Sequence, residues 1–179
     1  MPHFDESEVI RLSASPEGRQ KIFPMIVDQY SKPLYWKIRS IVLSHDDSDD
    51  VLQNTFLKAW KSLDSFQGKS KFSTWLYRIA INEALDFLRH KKTLALASAD
   101  ADLSVANRLL ADEYFDGDRS QAILQEAIAT LPEVQRTVFT LRYYDEMKYS
   151  EISEVLGTSE GALKASYHIA VQKITDYVK

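Results

Sequence analysis

Five glycines and five prolines are all the turn punctuation in these 179 residues, and the long stretches between them repeat apolar residues every three or four positions. Tight turns draw on residues that tolerate left-handed or fixed backbone angles, so hairpin-rich β-structure has few places to reverse. From Val51 to Leu63 the apolar residues Leu52, Phe56, Ala59, Trp60 and Leu63 recur at helical steps. Phe72 to Leu88 repeats the pattern with Trp75, Leu76, Ile79, Ala80, Ala84, Phe87 and Leu88. A third run covers about Ser120 to Ala129. Leu131-Pro132-Glu133 then reads as a helix start, with proline at the first helical position and an acid beside the positive end of the dipole. No segment alternates cleanly with period two. The expectation is an all-α fold.

Thr93 to Asp118 breaks this periodicity. It holds six acids and one base, Arg108, with little to form a core beyond a weak helix at Val105 to Tyr114. The chain therefore reads as two helical modules, 1–92 and 121–179, joined by a flexible acidic linker at 93–120. Charge follows the same division. The formal net charge is −4, which by itself argues against a nucleic-acid binder. Yet residues 1–92 carry 14 bases against 12 acids, and Lys58 to Lys92 alone carries eight bases against three. The linker has 2 and 6, and the last module 6 and 8. The total excludes a free-standing, strongly basic DNA binder and hides a cationic segment.

The absence of cysteine excludes disulfide scaffolds, Cys-ligated zinc, iron–sulfur clusters and thiol nucleophiles. His3, His45, His90 and His168 lack the spacing of a helical zinc pair. No run approaches the roughly 20 apolar residues of a membrane span, and the acidic start Met-Pro-His-Phe-Asp-Glu lacks the order of a signal peptide. A cytoplasmic location is expected.

Three constellations carry possible chemistry. In the first, Phe66-Gln67-Gly68-Lys69-Ser70-Lys71-Phe72-Ser73-Thr74-Trp75-Leu-Tyr77-Arg78 interleaves cations with aromatics around a glycine. Single-stranded nucleic acid is held by cations along its phosphates and by aromatic or polar pockets for unstacked bases. The same Phe72, Trp75 and Ile79 spacing also serves as a helix's core face. In the second, Asp46-Asp47-Ser48-Asp49-Asp50 satisfies the D-D-x-x-D pattern of magnesium–diphosphate sites. Acids directly before the apolar run at Val51 equally suit a helix start, and no second acidic cluster accompanies them.

In the third, a short helix from Ser150 is stopped by Gly157, and Thr158-Ser159 caps a longer helix over Glu160 to Val178. Ile152, Val155 and Leu156 are placed to pack with Leu163, Ile169 and Ala170. This is helix-turn-helix spacing, although a plain α-hairpin shares it. The candidate recognition surface is Ser159, Lys164, Ser166, Tyr167, His168 and Lys173.

Together these segments resemble bacterial RNA polymerase sigma factors of the compact extracytoplasmic-function (ECF) group. Asp49-Asp50-Val-Leu-Gln53-Asn-Thr-Phe56-Leu-Lys-Ala-Trp60 is similar to the family's polymerase-binding helix, and Phe66 through Arg78 to Leu88-Arg89 to its promoter-melting segment. Leu131-Pro132-Glu133-Val-Gln135-Arg136 through Lys164 resembles its second conserved domain. The resemblance implies a non-enzymatic protein that gives core polymerase its promoter specificity. By position, Asp49, Asp50, Gln53, Phe56 and Trp60 would dock on the polymerase clamp, with Phe56 and Trp60 alternatively facing the domain core. Residues Gln67, Gly68, Lys69, Ser70, Lys71, Phe72, Ser73, Thr74, Trp75, Arg78, Asn82 and Arg89 would capture the −10 strand, and Ser159 to Lys173 would enter the −35 major groove. The implied partners are core RNA polymerase (β′ clamp and β flap), promoter DNA and an anti-sigma factor against both domains. No cofactor, metal or membrane insertion is implied.

Two departures stand out. Where the family commonly places arginines on the recognition helix, this chain has Ser166, Ile169 and Val171, and a frequent polar position near Asp86 is acidic. The sequence also admits a helix-turn-helix regulator whose N-terminal half senses a ligand or partner, and a small diphosphate-utilising enzyme built on Asp46 to Asp50.

Overall fold

A computed structural model describes residues 5–94, 110 and 117–179, and every element in it is helical. The chain divides into two compact units, Met1–His90 and Lys91–Lys179.

The first unit is built on α2 (Pro16–Val42), whose Ser15 cap accepts from the Gly18 amide at 3.1 Å. Ile22, Ile26, Leu34 and Ile38 bury one stripe of it completely. Pro24 and Pro33 lie inside the helix on its exposed side. Each removes a backbone donor there, and the buried stripe outweighs the loss. Before it comes α1 (Glu6–Ser13), capped by Asp5 and anchored by fully buried Val9. Leu43, in the left-handed region at φ 68°, ends α2 and turns the chain into α3 (His45–Ser62). Ser44 caps α3 and Asp46 and Asp47 occupy its first turn, which is where the helix dipole favours acids. A 3₁₀ turn (Leu63–Ser65) and a loop lead to α4 (Phe72–Leu94). Phe72, Leu76, Ala80 and Ala84 face inward, each fully buried.

In the second unit α5 (Arg119–Ala129) starts from Asp118, whose carboxylate accepts from the Gln121 amide at 2.9 Å. An acid read as linker is therefore a helix cap, and helices enter the 93–120 segment from both ends. The weak helix expected at Val105–Tyr114 lies, apart from Leu110, outside the described residues. α6 (Glu133–Tyr143) follows Pro132, which sits at the cap rather than at the first helical position. Arg136 is buried and donates to the Leu131 carbonyl at 3.0 Å. α7 (Tyr149–Leu156) begins one residue before the expected Ser150, because Glu151 reaches back to accept from the Lys148 amide at 2.9 Å. α8 spans Glu160–Val178, as expected. Ala127, Ile128, Leu131, Phe139, Ala170 and Ile174 form a core with Leu124 and Tyr167 against it.

Candidate functional site

The exposed face of α3 combines acids with an apolar groove. Asp50 and Gln53 are exposed, while Asp49 is half-buried and pairs with His45 Nε2 at 3.4 Å. Phe56 is buried at 9% and meets Phe23 of α2 edge-on. Trp60 keeps 37% of its surface and packs against the same Phe23, with ring centroids 5.1 Å apart. Between α2 and α3 lies a groove of about 360 Å³ lined by Phe23, Val27, Gln53, Phe56, Leu57 and Trp60. Phe23, Val27 and Leu57 were missing from the sequence-derived set. Leu57 carried a signal: it is an apolar residue off the buried stripe, and it stands 58% exposed. Phe23 and Val27 came from a distant segment and had none.

The second surface runs from the loop before α4 along one face of that helix. Gln67, Gly68, Lys69 and Lys71 are exposed and Ser70 is half-buried. Gly68 adopts φ 70°, a left-handed conformation that costs a side-chain-bearing residue energy. Trp75, Arg78, Asn82 and Arg89 follow Lys71 at steps of three, four or seven, so they share a face. Trp75 and Arg78 are half-buried, and Asn82 and Arg89 exposed. Arg89 pairs with Asp86 at 2.8 Å, so the acid at the departing position offsets part of that cation's charge.

One residue of the set does not belong to the surface. Phe72 is fully buried, with Tyr30 and Phe66 edge-on at 5.8 and 5.3 Å and Trp75 tilted at 5.4 Å. It supports the loop from beneath, because the helical inward stripe begins with it. Ser73 and Thr74 are half-buried in the same first turn. Lys58 of α3 is ion-paired with Glu83 of α4, whose carboxylate raises the lysine above its ordinary pKa. That pair ties the two helices carrying these surfaces.

In the second unit a left-handed glycine and a serine cap form the turn between α7 and α8, as the helix-turn-helix spacing requires. Gly157 takes φ 66° and its amide bonds to the Ser153 carbonyl at 2.9 Å. Ser159 Oγ caps α8 by accepting from the Ala162 amide at 3.3 Å. Ile152, Leu163 and Ala170 are fully buried. Ile169, expected among them, is instead 44% exposed. The buried line is Leu163, Tyr167, Ala170 and Ile174, and Ile169 falls off it by one residue.

Tyr167 is half-buried and stacks on Phe139 at 5.8 Å and 14°, so its ring serves the core. Lys164 and His168 are exposed and Ser166 is half-buried. Lys164 Nζ lies 5.7 Å from the Tyr149 ring, and Lys173 donates to Gln135 Oε1 at 3.0 Å. The cationic supply of α8 is small and partly engaged.

For the D-D-x-x-D reading, the acids lie in the opening turns of α3, and His45 takes one of them. Among the described residues no group of three or more His, Asp or Glu side chains converges as a metal site. No helix among them is long and apolar enough to cross a membrane.

Two family models match in chain order: sigma-70 region 2 over residues 26–93, and sigma-70 region 4 over residues 121–174. The first takes the half of the chain that a sensing domain would need. Among characterised proteins, the ECF RNA polymerase sigma factor SigW of Bacillus subtilis is 32% identical over 167 residues, 88% of this chain and 89% of that protein. The ECF RNA polymerase sigma-E factor of Escherichia coli K12 is 30% identical over 175 residues, 91% and 90%. The solved structure of CnrH in complex with the cytosolic domain of CnrY superposes with a TM-score of 0.66 at 25% identity, covering 97% of this chain and 96% of that one. The Bartonella quintana sigma factor RpoE, solved with the anti-sigma factor NepR, shares the fold at a TM-score of 0.69 and 21% identity. These matches define a two-region, sigma-70-type protein. The chain belongs to the ECF RNA polymerase sigma factors.

Proposed function

We propose that this chain binds core RNA polymerase and directs it to promoters, contributing recognition and strand opening while the polymerase supplies the catalysis. The observation that carries this reading is the layout of the first unit. An exposed basic loop leads into a helix face of Trp75, Arg78, Asn82 and Arg89, while the apolar groove and acids of α3 form a separate surface. The acids are thereby kept off the surface that meets phosphate.

In this scheme Asp49, Asp50 and Gln53, with the groove formed by Phe56, Leu57 and Trp60, engage the β′ clamp. Gln67 to Lys71, Trp75, Arg78, Asn82 and Arg89 hold the separated −10 strand, and the turn at Gly68 opens a polar pocket for an extruded base. Unstacking costs a few kcal/mol per base, which the pocket and phosphate contacts offset. Ser159, Lys164, Ser166 and His168 approach the −35 duplex, with the β flap holding the second domain in place. Residues 1–92 act as sigma domain 2, 93–120 as the linker and 121–179 as sigma domain 4. The protein works in the cytoplasm, where its polymerase is. An anti-sigma protein restrains it, a reading supported by the CnrH and RpoE structures, both solved as complexes.

Titration of the purified chain with core polymerase tests the reading. Stoichiometric binding weakened by Asp50→Ala and Gln53→Ala is expected. Failure of the chain to bind core polymerase at all would overturn it.

A further inference from the structure

Helix α1 lies outside the segment matched by the region 2 model, which starts at residue 26, yet it meets the strand-reading loop at two points. Oε1 of Glu6 accepts a hydrogen bond from the backbone amide of Phe72 at 2.8 Å, across 66 residues of chain. That amide is one of the donors a helix start leaves without an intrahelical partner, and α4 has no acid in its own first turn. One turn further along α1, Ile10 reaches over the loop. A Cβ built on Gly68 would stand 2.7 Å from Ile10 Cδ1, so the loop backbone sits directly against that side chain.

The helix that makes these contacts is itself fixed. Val9 is fully buried, and Asp5 accepts from the Ser7 amide at 3.4 Å and from its hydroxyl at 2.6 Å. The chain leading into the loop is tied as well, since Arg19 of α2 pairs with Asp64 of the 3₁₀ turn at 3.3 Å. The stretch from Leu63 to Phe72 is thus held by Asp64 at one end, by Gly68 in the middle and by Phe72 at the other.

We propose that α1 is a working part of the −10 site, with Glu6 and Ile10 as positioning residues that fix the Gln67–Lys71 loop and the first turn of α4 in the base-selecting geometry. The proposal rests on the reading above that this loop holds the −10 strand. Neither side chain needs to touch DNA. A loop ordered before binding spares the complex the entropic cost of ordering it, and a pocket held in one shape rejects bases that a loose one would admit.

The test uses the full chain assembled with core polymerase. Single-stranded oligonucleotides selected from a random pool by the wild-type holoenzyme are changed one base at a time, and their affinities measured. Glu6→Ala should reduce discrimination by about tenfold at one or two positions, in line with a lost charge-assisted hydrogen bond, and Ile10→Ser should reduce it at the same positions. Glu6→Gln keeps an acceptor oxygen and should retain most of the selectivity. Core-polymerase affinity and thermal midpoint report folding, and hydrogen exchange at the Phe72 amide reports the contact itself. Unchanged discrimination in Glu6→Ala with faster Phe72 exchange would overturn the proposal. So would a uniform loss over all sequences that Glu6→Gln shares. A wild-type holoenzyme that selects no single strand would instead overturn the assignment of the loop, and this inference with it.

Discussion

The Lys37 ammonium sits 4.2 Å above the centroid of the Tyr77 ring, joining α2 to α4. Burial lowers Lys37 to about 8 and raises the Tyr77 phenol above its ordinary value. An unfolded lysine stays protonated to about 10.4. Between about pH 8 and pH 10 unfolding therefore takes up a proton, and stability rises with pH. Above about pH 10 the buried phenols Tyr30 and Tyr77 keep protons that the unfolded chain releases, and stability falls. Relative to Lys37→Met, the wild type should gain on the order of 2 kcal/mol from pH 8 to pH 10. Paired thermal melts check this; a constant difference across that window would count against a Lys37 whose burial lowers its pKa.

The groove on α3 places Leu57 at 58% exposure beside Trp60. Leu57→Asp should weaken core-polymerase binding by about tenfold or more, the scale of an apolar anchor at an interface. Its folding stability should stay within the small scatter of surface substitutions, about 0.5 kcal/mol. Equilibrium binding and a melt on one preparation separate the two effects. Wild-type affinity in this variant would remove the groove from the interface.

Lys69 and Lys71 are exposed on the loop. Changing both to Ala should lower the salt slope of single-strand binding by about 0.7 for each lost phosphate contact. Adding Arg78→Ala should weaken promoter opening further, and core-polymerase binding should be spared. Because Arg78 is half-buried, its melt needs comparison with that of the lysine pair. An unaltered salt slope for the pair would show that the loop does not follow the phosphates.

Ile169 is 44% exposed at a position where the family commonly carries a cation. Ile169→Arg should therefore tighten −35 duplex binding and steepen its salt slope by about 0.9 per phosphate gained. Little loss of stability is expected, since the side chain leaves no core. Duplex affinity indifferent to this change would mean that α8 does not lie along the DNA backbone.

How far these features could be read in advance depended on the range of the interactions involved. The bounds of α8 follow from Gly157 and Ser159, local stop and start signals that act within a few residues. The stripe of α3 was legible in part, through its helical period: Phe56, Ala59 and Leu63 are buried as expected, while Val51 and Thr55 join them and Trp60 stays exposed. Ile169 was misplaced because a one-residue shift on a helix turns a side chain by about 100°. The groove was only half visible: Leu57 stood off its stripe, whereas Phe23 and Val27 arrive from α2 through tertiary packing. The contact of α1 with α4 left no local trace at all, since Glu6 finds its partner 66 residues away.

Promoter-dependent initiation is the claim on which the rest depends. Core polymerase supplied with the purified chain and a random promoter library should yield transcripts whose templates share two sequence elements at a fixed spacing. Replacing Lys69, Lys71 and Arg78 with Ala should abolish most of that output while the chain still co-purifies with polymerase. Transcripts no more numerous or more selective than those of core polymerase alone would contradict the account.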